Sequence, residues 1–243
     1  MQLTSIPLTP IAYAKSPYKQ KFAIPRQSNL VQAEGELVFE PAYADPNALR
    51  GLEGFSHLWL IFVFHATADA PWSATVTPPR LGGTTRVGVF ATRSPYRPNP
   101  LGLSVVEFIG SEQRGKQLCL KVRGLDLLDG TPILDIKPYV PYADAIPGAR
   151  ATYAPTAPGG GLVHFSEAAR EQLEHLRGEH PQLETLIRGV LAQDPRPAQH
   201  ARDGSARDYG MYLDRFNIRW RMQEGASVVL SIAPRLDTPH QAT

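Results

Sequence analysis

Cysteine is almost missing from this chain of 243 residues, in which Cys119 stands alone. A lone cysteine excludes an internal disulfide and a cysteine-based zinc site, and it favours a reducing compartment such as the cytoplasm. Long hydrophobic runs are missing too. The longest, Leu58–Phe64, is far shorter than the roughly 18–20 residues of a membrane-spanning helix. The first residues have no apolar core of the kind found in a secretory signal.

Several catalytic motifs are also missing. No G-x-G-x-x-G follows a strand, and there is no Walker A loop, which argues against a Rossmann or P-loop nucleotide site. No G-x-S-x-G elbow occurs, so serine hydrolase chemistry is unsupported. The seven histidines have no ligand spacing, and the sequence therefore predicts no metal site.

Glycine and proline are abundant instead, with 20 and 23 residues, and they predict short strands joined by many turns. Strands are predicted over Gly35–Phe39, Leu58–Phe64, Arg86–Ala91, Leu103–Ile109, Gln117–Arg123 and Ile133–Tyr139. Leu58–Phe64 is apolar throughout, which predicts burial on both faces or cover by a neighbour. Only Pro46–Leu52 suggests a short helix here. This pattern is typical of a mainly β sheet or barrel.

The composition changes at Pro155–Gly161, a Gly/Pro-rich stretch that predicts a domain boundary. Helices are predicted after Ser166, a suitable N-cap, and from Pro181. Two strands of a hairpin, Met211–Met222 and Ser227–Ala233, are predicted beyond them. The boundaries that follow are a β domain over residues 5–146, a linker over 147–161 and a small α+β domain over 162–235.

Positive charge is clustered although the net charge is only +2. Residues 1–33 and 70–106 contain lysines and arginines but no acidic residue. If both stretches share one face, that face attracts phosphates or an anionic cofactor; otherwise the clustering is a chance feature of a solvated surface.

Three segments carry polar residues that a plain sheet does not need: Ala23–Asn29, Gly88–Ser104 and Leu125–Tyr139. In the second, closely spaced prolines hold Arg93, Arg97 and Asn99 in fixed directions, as carboxylate or phosphate recognition requires. The alternative is a stiff loop whose arginines cap carbonyl groups.

The other two segments leave similar alternatives open. Asp126 and Asp129 can accept hydrogen bonds from ribose or adenine, while Asp129 with Gly130 also reads as a tight turn. Arg26 and Gln27 can bind a ligand or lie in an exposed loop. His65, at the end of the apolar strand, is either a packed histidine or an acid or base.

At these segments the chain closely resembles the TsaA-like (TrmO, YaeB) family of S-adenosylmethionine-dependent tRNA methyltransferases. The signature is Gly88–Asn99 (GVFATRSPYRPN), supported by Pro25–Gln27 (PRQ) and Asp126–Asp144 (DLLDGTPILDIKPYVPYAD). Further matching stretches are Phe55–Trp59 (FSHLW), Phe62–His65 (FVFH), Gln193–Pro197 (QDPRP) and Phe216–Arg221 (FNIRWR).

This resemblance implies a single-sheet β-barrel, a homodimer with S-adenosylmethionine bound near the subunit interface, and N6-methylation of N6-threonylcarbamoyladenosine beside the anticodon of threonine tRNA. It implies cofactor contacts at Pro25, Arg26, Gln27, His65, Ala66, Arg93, Leu103, Asp126, Leu127, Leu128 and Asp129. No catalytic base can be assigned.

Contacts to tRNA are hypotheses at Arg97, Asn99, Arg196, Arg219 and Arg221. The C-terminal domain either grips the anticodon stem-loop through phosphates or only packs and stabilises a dimer. The alternative functions are a small-molecule methyltransferase and a non-catalytic RNA-binding barrel on the same scaffold.

Overall fold

The computed structural model describes residues 6–158, 160–197, 200–201 and 207–235. The chain divides into two compact units. Unit 1 contains Met1–Ser16 and Arg26–Ala157, and unit 2 contains Pro17–Pro25 and Pro158–Thr243. No feature of the sequence indicated that Pro17–Pro25 belongs with the C-terminal part.

Unit 1 is built almost entirely of strands, as its composition predicts. They are β1 (Ala12–Lys15), β2 (Glu34–Phe39), β3 (His57–Val63), β4 (Thr75–Val76), β5 (Val87–Gly88), β6 (Leu101–Arg114), β7 (Gln117–Arg123) and β8 (Pro132–Pro138). Six of them pair in the closed order β1-β2-β7-β6-β3-β8, and β4 pairs with β5 separately. Every pair in the closed sheet is antiparallel. Because the order closes on itself, the described part of this sheet has no open edge strand.

The core of unit 1 lies inside this closed sheet. In β3, side chains alternate strictly, and Leu58, Leu60 and Phe62 point into the core. Full burial on both faces is therefore wrong for β3, whereas the alternative, cover by a neighbour, fits the residues between them, which are partly covered. Gly102 lies opposite Phe62, and a Cβ atom there would overlap the Phe62 ring.

Two local predictions for unit 1 have different outcomes, and the first is wrong. The strand predicted over Arg86–Ala91 is only the short β5, followed by a 3-10 turn at Val89–Ala91. Thr92 closes that turn, since its backbone N–H and its hydroxyl both donate to the Val89 carbonyl oxygen, at 3.1 and 2.8 Å. The short helix suggested over Pro46–Leu52 is present as a 3-10 helix at Pro46–Leu49, and a second 3-10 helix follows at Leu52–Gly54. Strand β1 and the short helix α1 (Pro141–Asp144) were not predicted from the sequence.

Among its described residues, unit 2 has two helices of nine or ten residues and a four-stranded sheet. Its elements are β9 (Val163–Phe165), α2 (Glu167–Leu176), α3 (Leu183–Leu191), β10 (Asp208–Leu213), β11 (Phe216–Gln223) and β12 (Ala226–Pro234). The strand order is β10-β11-β12-β9. The Ser166 hydroxyl accepts a hydrogen bond from the Ala169 N–H and caps α2, as predicted.

One prediction for unit 2 needs correction. The single strand predicted over Met211–Met222 is broken at Asp214, which has a left-handed backbone with φ of 50°. The break produces β10 and β11, which pair as a hairpin from Leu213 and Phe216 outward.

Among the residues that the structure describes, no helix has the length and hydropathy needed to cross a bilayer.

Candidate functional site

The three polar segments singled out in the sequence converge in unit 1. The first lies along β6, where Asn29 Nδ2 donates to the Val105 carbonyl oxygen at 2.9 Å. The second reaches the first, because the Arg93 guanidinium donates to Gln27 Oε1. The third begins directly after Gly124, whose carbonyl oxygen accepts a hydrogen bond from the Asn29 N–H at 2.9 Å.

Backbone geometry fixes the junction between the first and third segments. Asn29 has a left-handed backbone with φ of 63°, a conformation that asparagine tolerates better than most residues. Gly124 has φ of 85°, and a Cβ atom there would collide with Asn29 Oδ1. No role was predicted for Asn29 from the sequence, although asparagine in a loop is a recognised signal for this conformation.

Asp126, in the third segment, interacts with residues of the other two, Ser28 in the first and Arg93 and Ser104 in the second. Burial raises the pKa of its carboxyl group from 3.8 to about 6. The Ser104 hydroxyl, the Ser28 N–H and the Arg93 charge each favour the ionised form, but they offset the effect of burial only in part. Asp126 Oδ1 is buried and has no hydrogen-bond partner among the residues that the structure describes. Such an oxygen is suited to accept a hydrogen bond from a bound ligand.

Whereas Asp126 Oδ1 has no hydrogen-bond partner among the described residues, Asp129, three residues later, accepts a hydrogen bond from within the protein. Its Oδ1 accepts a hydrogen bond from the Ser16 N–H at 2.9 Å, which ties the turn to the end of β1. The carbonyl oxygens of Leu127 and Leu128 accept from the hydroxyls of Ser16 and Thr131, at 2.7 and 2.6 Å. Of the two readings left open for Asp129, the loop-ordering one is therefore visible in the structure.

The predicted contacts on β3 and β6 lie next to each other. His65 begins a 3-10 turn directly after β3, and the Phe64 N–H donates to the Pro100 carbonyl oxygen at 2.8 Å. This bond holds His65 and Ala66 beside the start of β6. Leu103, on β6, is 53% exposed and offers an apolar surface there.

Arg97 caps carbonyl groups, the alternative reading of its loop. Its Nη1 donates to the carbonyl oxygens of Thr92 and Val89, at 2.7 and 3.3 Å. Its guanidinium carbon lies 5.8 Å from the centre of the exposed Phe90 ring. Asn99 is exposed in the same loop, and Arg26 is exposed in the first segment. Pro25 is buried and is the last residue of the segment that belongs to unit 2.

The C-terminal arginines differ from one another. The Arg196 side chain is only 9% exposed, and its guanidinium binds both Asp194 carboxylate oxygens at 2.7 Å. A guanidinium committed in this way is not available to a phosphate, so Arg196 does not fit the tRNA contact predicted for it. The side chains of Arg219 and Arg221, on β11, are 58% and 44% exposed.

Comparison with known proteins shows the family to which this chain belongs. The model of the tRNA-methyltransferase O N-terminal domain matches residues 13–145, and that of the TrmO C-terminal domain matches residues 161–235. The chain belongs to the TrmO family. A tRNA (adenine(37)-N6)-methyltransferase of Escherichia coli is 47% identical over 96% of this chain and 100% of that protein.

Two further relatives of this TrmO family chain are informative. A probable S-adenosyl-L-methionine-binding protein of Pyrococcus abyssi is 39% identical over 67% of this chain and 80% of that protein. A crystal structure of TrmO from Pseudomonas aeruginosa has a TM-score of 0.78 and 40% identity, over 96% of this chain and 100% of that one. The resemblance inferred from the three segments is thus confirmed.

Proposed function

We propose that this protein is an S-adenosylmethionine-dependent methyltransferase acting on N6 of N6-threonylcarbamoyladenosine at position 37 of threonine tRNA. Membership of the TrmO family over both units supports the reaction class. The observation that carries the proposal is the convergence of Gln27, Arg93 and Asp126, which come from three distant segments. A barrel that served only as a scaffold would not need a buried carboxyl group with an unsatisfied oxygen there.

The residues present suit S-adenosylmethionine. Asp126 Oδ1 can accept from a ribose hydroxyl or the adenine amine, and Arg93, held by Gln27, can pair with the carboxylate of the amino acid part. Exposed Leu103 can cover an apolar face of the cofactor. We include in the cofactor site the remaining positions that the family motif implies: Pro25, Arg26, His65, Ala66, Leu127, Leu128 and Asp129.

The bound cofactor supplies an electrophilic methyl group, and the protein has to align the accepting nitrogen with it. Arg97, fixed by two carbonyl groups, leaves its other nitrogen atoms to bind the threonyl carboxylate of the substrate, with Asn99 beside it. The accepting nitrogen must also lose a proton, and a base would assist.

The two halves of the sequence take different parts in this proposal. The domain of residues 5–146 holds the cofactor, residues 147–161 act as a linker, and the domain of residues 162–235 contacts tRNA through Arg219 and Arg221. We further propose that the working enzyme is a cytoplasmic homodimer whose cofactor sites lie near the subunit interface.

A methylation assay tests the reaction and the substrate together. Purified protein and labelled S-adenosylmethionine are incubated with threonine tRNA that carries the threonylcarbamoyl group, and with the same tRNA lacking it. We expect label only in the modified tRNA. Label in neither, with cofactor binding intact by calorimetry, would instead favour the small-molecule methyltransferase.

A further inference from the structure

The sheet of unit 2 has one face that the helices leave open. In β10 and β11 the buried side chains alternate with exposed ones, so that Tyr212, Asn217 and Arg219 share the outer face. Tyr212 lies directly opposite Asn217, and Arg219 lies opposite Gly210. Gly210 contributes no side chain, which leaves a shallow recess between these three residues.

An aromatic ring borders the recess on one side. Tyr212 is 36% exposed, although its neighbours Met211 and Leu213 are fully buried. The Arg235 guanidinium carbon lies 4.9 Å from the centre of the Tyr212 ring, which is a cation–π distance. A tyrosine and a guanidinium placed together form a surface on which a nucleobase can stack.

An amide group lies above the recess. A Cβ atom on Gly210 would be 3.5 Å from Asn217 Oδ1, so the Asn217 side chain leans across the position that has none. Asn217 is half-buried and makes no side-chain hydrogen bond with the residues that the structure describes. A free amide with one acceptor and two donor hydrogens can bind the edge of a base.

Positive charge completes this face. Arg219 and Arg221 share a single partner, Asp208, with ion-pair distances of 3.4 and 2.9 Å. With Arg235, the face carries three arginines against one aspartate, whereas the whole chain has a net charge of only +2. Two guanidinium groups around one carboxylate retain an excess charge that a phosphate can neutralise.

We propose that this face is a binding subsite for one unpaired nucleotide of RNA, in which Tyr212 stacks on the base, Asn217 contacts its edge, and Arg219 and Arg221 bind the adjacent phosphates. Single-stranded loops are the parts of RNA whose bases are free to stack on aromatic side chains. The partner that we assign, a loop nucleotide of tRNA, rests on the proposed function.

The test measures RNA binding apart from catalysis. A fluorescein-labelled anticodon stem-loop RNA is titrated with the full-length protein, and affinity is read by fluorescence anisotropy at several salt concentrations. We expect Tyr212→Ala to weaken binding about tenfold or more, with an unchanged salt slope, because stacking is not electrostatic. Arg219→Gln should instead lower the salt slope by about one.

Matched variants control for folding and for general surface effects. Tyr212→Phe keeps the ring and should bind as the wild type does, and Asn217→Ala should weaken binding while the salt slope stays unchanged. Tyr43→Ala removes a tyrosine of similar exposure, 40%, from unit 1 and should have no effect. Thermal unfolding of each variant shows whether a loss of binding comes from a loss of structure.

The outcomes separate this inference from the proposed function. Wild-type affinity in Tyr212→Ala and Asn217→Ala, with methylation of tRNA intact, would overturn the subsite and leave the reaction standing. Weakened RNA binding in these variants, with no methylation by the wild type, would support the subsite and count against the reaction.

Discussion

Replacing Asp126 by asparagine should make the protein more stable at neutral and alkaline pH. The folded protein keeps the Asp126 proton up to about pH 6, whereas the unfolded chain releases it near the ordinary value of 3.8. The folded state therefore binds more protons between these values, and its stability falls as the pH rises through them. Asparagine has the same shape and no charge, so the stability of Asp126→Asn should not fall in this way as the pH rises.

The magnitude follows from the two pKa values. Each pKa unit is worth about 1.4 kcal/mol, so the rise at Asp126 costs the folded state about 3 kcal/mol above pH 6. Of this, about 2 kcal/mol develops between about pH 4.5 and about pH 8, where the protein can be handled. The variant should gain that amount over the wild type across this interval.

Urea denaturation of both proteins at the two pH values measures the difference. Asp69→Asn, at an exposed carboxylate, is the control and should show no such gain. A stability difference between Asp126→Asn and the wild type that does not change with pH would refute the reasoning, because it would mean that the folded protein does not hold this proton. Calorimetry should show weaker cofactor binding in the same variant, since the cofactor loses an ionisable acceptor.

Three further substitutions test other parts of unit 1. Arg93→Ala should weaken S-adenosylmethionine binding about tenfold or more by calorimetry, the scale of a hydrogen bond to a charged group, and unchanged affinity would remove Arg93 from the cofactor site. Gly102→Ala should lower the free energy of unfolding by about 1–3 kcal/mol, because the new methyl group overlaps the Phe62 ring; wild-type stability would mean that the ring can move at little cost. Asn29→Ala should cost about 1–2 kcal/mol, from backbone strain at φ of 63° and the lost bond to Val105, and Asn29→Gly should restore part of it in thermal unfolding.

The sequence was informative where one local pattern determines the outcome. The cap at Ser166 and the helix that follows Pro181 depend on residues within a few turns, and both were predicted. The strand break at Asp214 was missed although the apolar alternation changes phase there, from the odd positions Met211 and Leu213 to even positions from Phe216 onward. For β3 the apolar composition predicted that both faces are buried or covered, but it did not tell that Leu58, Leu60 and Phe62 are the residues that point into the core.

In the candidate site, too, local patterns were predicted and distant contacts were not. Motifs quoted from the sequence identified the three segments that converge, but not the atoms that join them. The sequence offered Asp126 and Asp129 as acceptors and a turn role only for Asp129, while contacts to Ser104 and Ser16 that no local pattern shows give the two carboxyl groups different environments. From the sequence, Arg196 was predicted to be a surface cation that contacts tRNA, but in the structure its side chain is largely buried and pairs with Asp194.

The placement of Pro17–Pro25 has a practical consequence for attempts to produce one unit of this protein without the other. These residues precede nearly all of unit 1 in the chain, yet they belong to unit 2, where fully buried Tyr18 forms a bridge with Leu213 of β10. A gene truncated after residue 157 would therefore still encode nine residues whose packing partners had been removed. Cleanly separating the units requires two cuts and a new junction between Ser16 and Arg26, so the role of unit 2 is better studied by point substitution than by deletion.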